Sequence, residues 1–206
     1  MNVSAEWIIS TGLLGAAIWV KPWRMWSGAL LTPTLAALAL FPLGWLLPAW
    51  TPEHLPLQWS GACLLVLVLG WPLACITMTL VAVEAWMLGP LDLALVLNTW
   101  AWLGIFPATF AMALGAAIRR WLPDHIFIYI LGRGFAGTAL CLFVTGALEQ
   151  WIHPTLQVGF EEALLAKWFM AWGDAFITGM AVALAVAFAP QWLATWSDQR
   201  YLRRPN

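Results

Sequence analysis

Three ionisable side chains lie inside apolar stretches of this 206-residue sequence: Glu84, Arg133 and Asp174. A charged side chain at the centre of a bilayer costs about 2.5–3.5 kcal/mol on insertion scales, so each of these residues calls for a structural or functional role. Three roles are open. In the first, Arg133 forms an ion pair with Asp174 or Glu84 that holds helices in register. In the second, the carboxyls belong to a substrate or ion site. In the third, the carboxyls are protonated and make hydrogen bonds.

Two amide side chains, those of Gln58 and Asn98, also lie in apolar surroundings. At about 1.5 Å of helix per residue, Glu84 and Asp174 fall at a similar depth in the outer half of the bilayer. Asn98 either bonds a neighbouring helix or lines a cavity. The candidate substrate-binding set is therefore Gln58, Glu84, Asn98 and Asp174.

A weaker candidate metal site lies in the polar segment 50–57, which contains Glu53 and His54. Carboxylate and imidazole groups suit a divalent cation. Their spacing is not that of a dedicated metal motif, and a solvated loop histidine explains His54 equally. No cofactor is predicted, and a divalent metal enters only as a possible substrate.

The composition excludes an ordinary soluble domain. The chain is 63% hydrophobic and 9% charged, whereas soluble domains are about 25% charged. Many of the 17 Trp residues lie where apolar runs end, as expected of anchors at the membrane–water interface. The sequence predicts an all-α, polytopic membrane helix bundle whose surroundings are the lipid bilayer, and no basic patch suggests a nucleic-acid partner.

No constellation of nucleophile and base is visible in the sequence, so an enzyme is not predicted. Neither a G-x-S-x-G nor an H-E-x-x-H pattern occurs. The three cysteines, Cys63, Cys75 and Cys141, lie in apolar runs without the spacing of a zinc motif or a disulfide framework. They are interpreted as small core residues.

Apolar runs predict seven membrane segments within a single transmembrane domain, 1–206. The segments are 7–20, 27–49, 58–69, 71–88, 93–118, 125–148 and 163–189, and a polar cytoplasmic tail, 191–206, follows. A full span needs about 20 residues, so the segment 58–69 is either a short crossing or a half-helix buried by its neighbours.

The basic residues favour this division of the chain. With seven segments, seven of the nine Lys and Arg residues fall on one side: Lys21, Arg24, Arg119, Arg120, Arg200, Arg203 and Arg204. If 58–88 were one helix, this bias would disappear. Because cytoplasmic loops are enriched in basic residues, we expect the N-terminus outside, the C-terminus in the cytoplasm, and a multi-pass protein of the bacterial inner membrane.

Five short motifs then suggest a family. They are QWSGAC at 58–63, LGWP at 69–72, VEAWMLG at 83–89, LVLN at 95–98 and DAFITG at 174–179. They resemble the membrane component of energy-coupling factor (ECF) transporters that captures cobalt or nickel, the CbiM/NikM type. Residues 122–129 and 189–202 resemble a proteobacterial branch of that group.

The metal-binding histidines of that family are missing here. Its metal-binding members carry Met-His at the N-terminus and a second ligating His, where this chain has Asn2 and Gln58. The resemblance implies a substrate-capturing or permease subunit for a metal ion or small solute, with a transmembrane coupling protein and ATPases as partners. The alternative is a non-transporting accessory or assembly subunit of a larger membrane complex, which kept the fold and lost the metal site.

Overall fold

The computed structural model describes residues 5–50, 58–154 and 159–201. This part of the chain is helical, without a β-strand. In chain order the helices are α1 (Ala5–Trp19), α2 (Leu31–Trp50), α3 (Ala62–Leu69), α4 (Trp71–Leu88), α5 (Leu93–Trp121), α6 (Ile128–Ile152), α7 (Phe160–Phe188) and the short α8 (Asp198–Tyr201).

Five of these helical segments are long and apolar enough to cross a bilayer. They are Gly28–Pro48, Trp71–Leu88, Leu93–Trp121, Ile128–Ile152 and Phe160–Phe188. Helix α1 is apolar but shorter, at 15 residues. The predicted all-α helix bundle is thus confirmed, and its length and composition are those of a multi-pass membrane protein.

The segment 58–69 was predicted to be either a short crossing or a half-helix, and helix α3 shows that it is a half-helix. Its eight residues span about 12 Å at 1.5 Å per residue, less than half of a hydrocarbon core of about 30 Å. Seven of the eight are buried, because α4, α5, α6 and α7 surround the helix. Burial inside the protein is the condition under which a broken segment is tolerated at membrane depth.

The contacts of α3 show its direction. Its first residues meet Asp174, which lies halfway along the 29-residue α7. Its last turn meets Ala194 and Thr195, beyond the end of α7. The chain therefore reaches the interior of the bundle in the non-helical residues 58–61 and leaves it as a helix on the side of the C-terminal segment.

Contacts at the two rims place the described chain ends on opposite sides of the bundle. At one rim Glu6 meets His153. At the other, the turn Gly28–Leu30 packs against the turn Pro190–Trp192. This arrangement agrees with the seven-segment prediction, and the side that faces the cytoplasm stays a prediction from the basic residues.

Seven of the ten described residues in the predicted loop 149–162 are helical. Helix α6 continues to Ile152, and α7 already begins at Phe160. The prediction of this loop was wrong because it ended each helix where charged residues begin. A helix can extend beyond the apolar layer, since its backbone hydrogen bonds are internal and its polar side chains then reach water.

The predicted polar tail is docked against the bundle over its described residues. Leu193 and Tyr201 are buried. The Ala194 amide donates to the Val68 carbonyl at 2.8 Å, and the Thr195 hydroxyl donates to the Leu67 carbonyl at 2.8 Å. The last carbonyls of a helix lack partners within it, so this segment caps the end of α3.

The turn into α3 requires glycine. Gly61 has φ +67, and a Cβ at this position would lie 2.4 Å from Cε2 of Phe41. We expect Gly61→Ala to lower the free energy of unfolding by roughly 2–5 kcal/mol, because left-handed strain adds to overpacking. Thermal unfolding and the monodisperse fraction in mild detergent measure this effect.

Gly12→Ala is the matched control for that substitution. Gly12 lies on α1, and a methyl group added there would meet no atom within 4 Å, so the change should be tolerated. Equal melting temperatures for the Gly61 and Gly12 variants would contradict a tight turn at Gly61.

Candidate functional site at the start of the buried half-helix

Asp174 caps the N-terminus of α3. Its side chain is only 4% exposed. Oδ2 accepts hydrogen bonds from the amides of Ser60 at 2.8 Å and Gly61 at 3.2 Å, and Oδ1 accepts one from the Thr178 hydroxyl at 3.3 Å. A helix N-terminus carries unpaired N–H groups and a partial positive charge. The carboxylate therefore satisfies donors that water cannot reach.

Ser60 connects four helices at the same point. Its hydroxyl donates to the Leu103 carbonyl of α5 at 2.6 Å and accepts from the Ala62 amide of α3 at 3.1 Å. Its own carbonyl accepts from Nε1 of Trp45, on α2, at 3.4 Å. With the bond to α7 through Asp174, Ser60 fixes the position of α3. Ser60 was not among the site residues predicted from the sequence.

The Leu103 carbonyl lies in a helical stretch that a proline interrupts. Pro107 lies four residues later in the same helix and has no N–H to donate. The helix is also π-helical from Trp100 to Ile105, and such segments often occur at functional sites. The sequence alone could not identify Ser60, because its contact with Leu103 is visible only in the structure.

Arg133 and Asp174 do not form the predicted ion pair. Asp174 is instead engaged by Ser60, Gly61 and Thr178. Arg133 lies in the π-helical part of α6, is 8% exposed, and has its guanidinium carbon 5.2 Å from the centre of the Tyr129 ring. The ion pair was wrong because backbone amides take the carboxylate, and the sequence does not reveal which amides lie beside it.

Asn98 belongs to a separate polar cluster. Its amide nitrogen donates to Glu149 at 3.2 Å, and Glu149 also forms an ion pair with Lys167. Glu149 was predicted to lie in a loop, and this cluster was missed. Opposite charges at the adjoining ends of α6 and α7 were the available signal.

The two remaining candidates of the substrate-binding set are half-buried. Gln58 lies two residues before Ser60, near the start of α3. Glu84 lies in α4, and its buried Oε2 has no hydrogen-bond partner among the described residues. Asp174 and Gln58 thus share one region, while Asn98 bonds elsewhere and Glu84 lies on a different helix.

The weaker metal candidates, Glu53 and His54, lie outside the described residues. Within residues 5–50, 58–154 and 159–201, no group of three or more His, Cys, Asp or Glu side chains is arranged to hold a metal ion.

Comparison of the chain with protein-family models, with curated proteins and with solved structures finds no match.

The capping role of Asp174 gives a first test of the site. Asp174→Ala leaves the buried amides of Ser60 and Gly61 without an acceptor, which costs roughly 1–3 kcal/mol for each group. Asp174→Asn keeps an acceptor oxygen and should lose less. Thermal unfolding in detergent or nanodiscs measures both variants.

Asp92→Ala is the control, because Asp92 also precedes a helix but makes no side-chain capping bond. Its melting temperature should stay close to that of the wild type. If Asp174→Ala were no more destabilising than Asp92→Ala, the cap would not contribute to stability.

The bond between Ser60 and Leu103 gives a second test, through a double-mutant cycle. Ser60→Ala should destabilise the protein because it removes the hydrogen bond to the Leu103 carbonyl. Pro107→Ala supplies an N–H four residues after Leu103, so the double variant should lose less stability than the sum of the two single effects. We expect a coupling free energy of about 1 kcal/mol, and strictly additive effects would show that the two positions are independent.

Proposed function

We propose that this protein is the substrate-capturing or permease subunit of an ECF-like transporter in the bacterial inner membrane. Its partners would be a transmembrane coupling protein and ATPases, because an importer of this kind takes its energy from other chains. The sequence motifs at 58–63, 83–89 and 174–179 provide the family resemblance behind this proposal.

The broken segment at 58–69 is the observation that carries the proposal. Residues 58–61 are non-helical, yet they lie level with the middle of α7, where Asp174 binds them. Many transporters place their substrate sites beside discontinuous helices of this kind. The protein buries Ser60 and Gly61, which is a condition under which non-helical backbone is tolerated at membrane depth.

Two of the candidate side chains, Glu84 and Gln58, indicate the kind of substrate. Oε2 of Glu84 is buried without a hydrogen-bond partner in the described part of the chain, and the Gln58 amide precedes the start of α3. Carboxylate and amide oxygens suit hard divalent cations such as Mn²⁺. With Asn2 and Gln58 in place of histidines, a nickel or cobalt substrate is not favoured.

One observation favours the accessory function instead. Both carboxylate oxygens of Asp174 are engaged in capping α3 and in the bond to Thr178. Asp174 therefore acts in this structure as a positioning residue rather than as a free ligand. A subunit that kept the fold and lost its substrate would retain this contact.

Metal binding by the purified protein separates the two functions. Calorimetry in nanodiscs should show saturable binding of Mn²⁺ or another divalent cation. Gln58→Ala and Glu84→Gln should each weaken it by about tenfold or more, as expected when a group that supports a metal site is lost. Glu161→Gln is the control, because Glu161 is exposed in the first turn of α7.

Partner identification completes the test. Purification in mild detergent should recover ATPase subunits if the chain belongs to an ECF-like transporter. No binding of any divalent cation, together with recovery of a complex that contains no ATPase, would overturn the proposal and support the accessory function.

A further inference from the structure

We propose that Arg133 holds a small monovalent anion, such as chloride, in a cavity between α3, α5 and α6. The cavity has a volume of about 10 Å³, and Arg133, Gly115, Cys63 and Cys141 are among the residues that line it. The site is separate from the cap formed by Asp174, and it does not depend on the proposed transport function.

The guanidinium of Arg133 is buried without a compensating anion from the described chain. Its side chain is 8% exposed, and Nε and Nη1 have no hydrogen-bond partner there. The two ion pairs found in the described residues join His153 to Glu6 and Lys167 to Glu149. The Tyr129 ring offers a cation–π contact but no hydrogen-bond acceptor, and a buried charge is strongly unfavourable unless it is paired.

No carboxylate of the described chain forms an ion pair with Arg133. Asp174 accepts bonds from Ser60, Gly61 and Thr178. Glu149 is paired with Lys167 and Asn98. Glu84 lies near the far rim, toward the end of α4, whereas Arg133 is near the opposite end of α6. None of these three carboxylates contacts the guanidinium, which leaves its Nε and Nη1 available to bind a ligand.

The size and lining of the cavity select a single-atom anion. A volume of about 10 Å³ is near the least that accommodates one water-sized particle. The polar side chains on its wall are the Arg133 guanidinium and the thiols of Cys63 and Cys141, and no carboxylate of the described chain lines it. The Cys63 thiol is hydrogen-bonded to Cys141 and Thr138, so the donors left for a ligand are the N–H groups of Arg133. The wall therefore favours an anion, and phosphate is too large.

Gly115 makes room for the charged group. A Cβ at Gly115 would lie 2.8 Å from Nη2 and 3.0 Å from Nε of Arg133. The guanidinium thus rests directly against the backbone of α5. Gly115→Ala would displace the guanidinium and reduce the volume of the cavity without removing the positive charge. It therefore tests the shape of the site separately from its charge.

Chloride binding is measured on the full chain in nanodiscs of uncharged phosphatidylcholine. The ³⁵Cl NMR line should broaden in proportion to protein concentration, and bromide should compete for the site while sulfate should not. The melting temperature should be higher in chloride than in gluconate. Arg133→Met should abolish both effects and Gly115→Ala should weaken them.

Arg120→Met is the matched control, because Arg120 is exposed in the last turn of α5 and its loss should leave both readings unchanged. The proposal is overturned if the wild type shows neither line broadening nor a chloride-dependent melting temperature, in which case a water molecule is the occupant. It is also overturned if chloride binding survives both Arg133→Met and Gly115→Ala.

Discussion

The structure depends on one constraint: backbone groups inside a membrane bundle must find partners within the protein. Helix α3 begins near the middle of the bundle, where its first amides have no helical acceptor and no access to bulk water. The carboxylate of Asp174 and the hydroxyl of Ser60 supply those acceptors. At the other end, the C-terminal segment supplies the donors that the last carbonyls lack. A half-helix is stable here because both of its ends are capped by distant parts of the chain.

This constraint also sorts the few polar residues of the chain by role. Asp174, Ser60 and Thr195 satisfy backbone groups and hold helices together. Glu84 and Arg133 have buried polar atoms that remain unpaired in the described chain, so they are the residues at which a ligand would lower the free energy most. The contacts of Asp174 are thus structural, and the two proposed ligand sites involve other side chains.

Local hydropathy was sufficient for the fold class and for the order of the segments. The break at Gly70 was predicted from Gly-Trp-Pro and from the distribution of basic residues, and α4 begins there, at Trp71. The predicted helix ends near Glu149 and Glu161 differ from the observed ends at Ile152 and Phe160. Polar residues mark the edge of the apolar layer rather than the end of a helix. The π-helical segments left no signal in composition or periodicity.

The sequence by itself predicted a helical membrane protein with seven segments and left 58–69 as either a short crossing or a half-helix. These predictions follow from the composition and length of the segments and from the distribution of basic residues between them. Only the tertiary structure decided which partner Asp174 takes, since Ser60 lies 114 positions away in sequence and backbone amides carry no residue-specific signal. It also decided that Arg133 meets no carboxylate of the described chain, because that outcome depends on how α3, α5, α6 and α7 pack around one another.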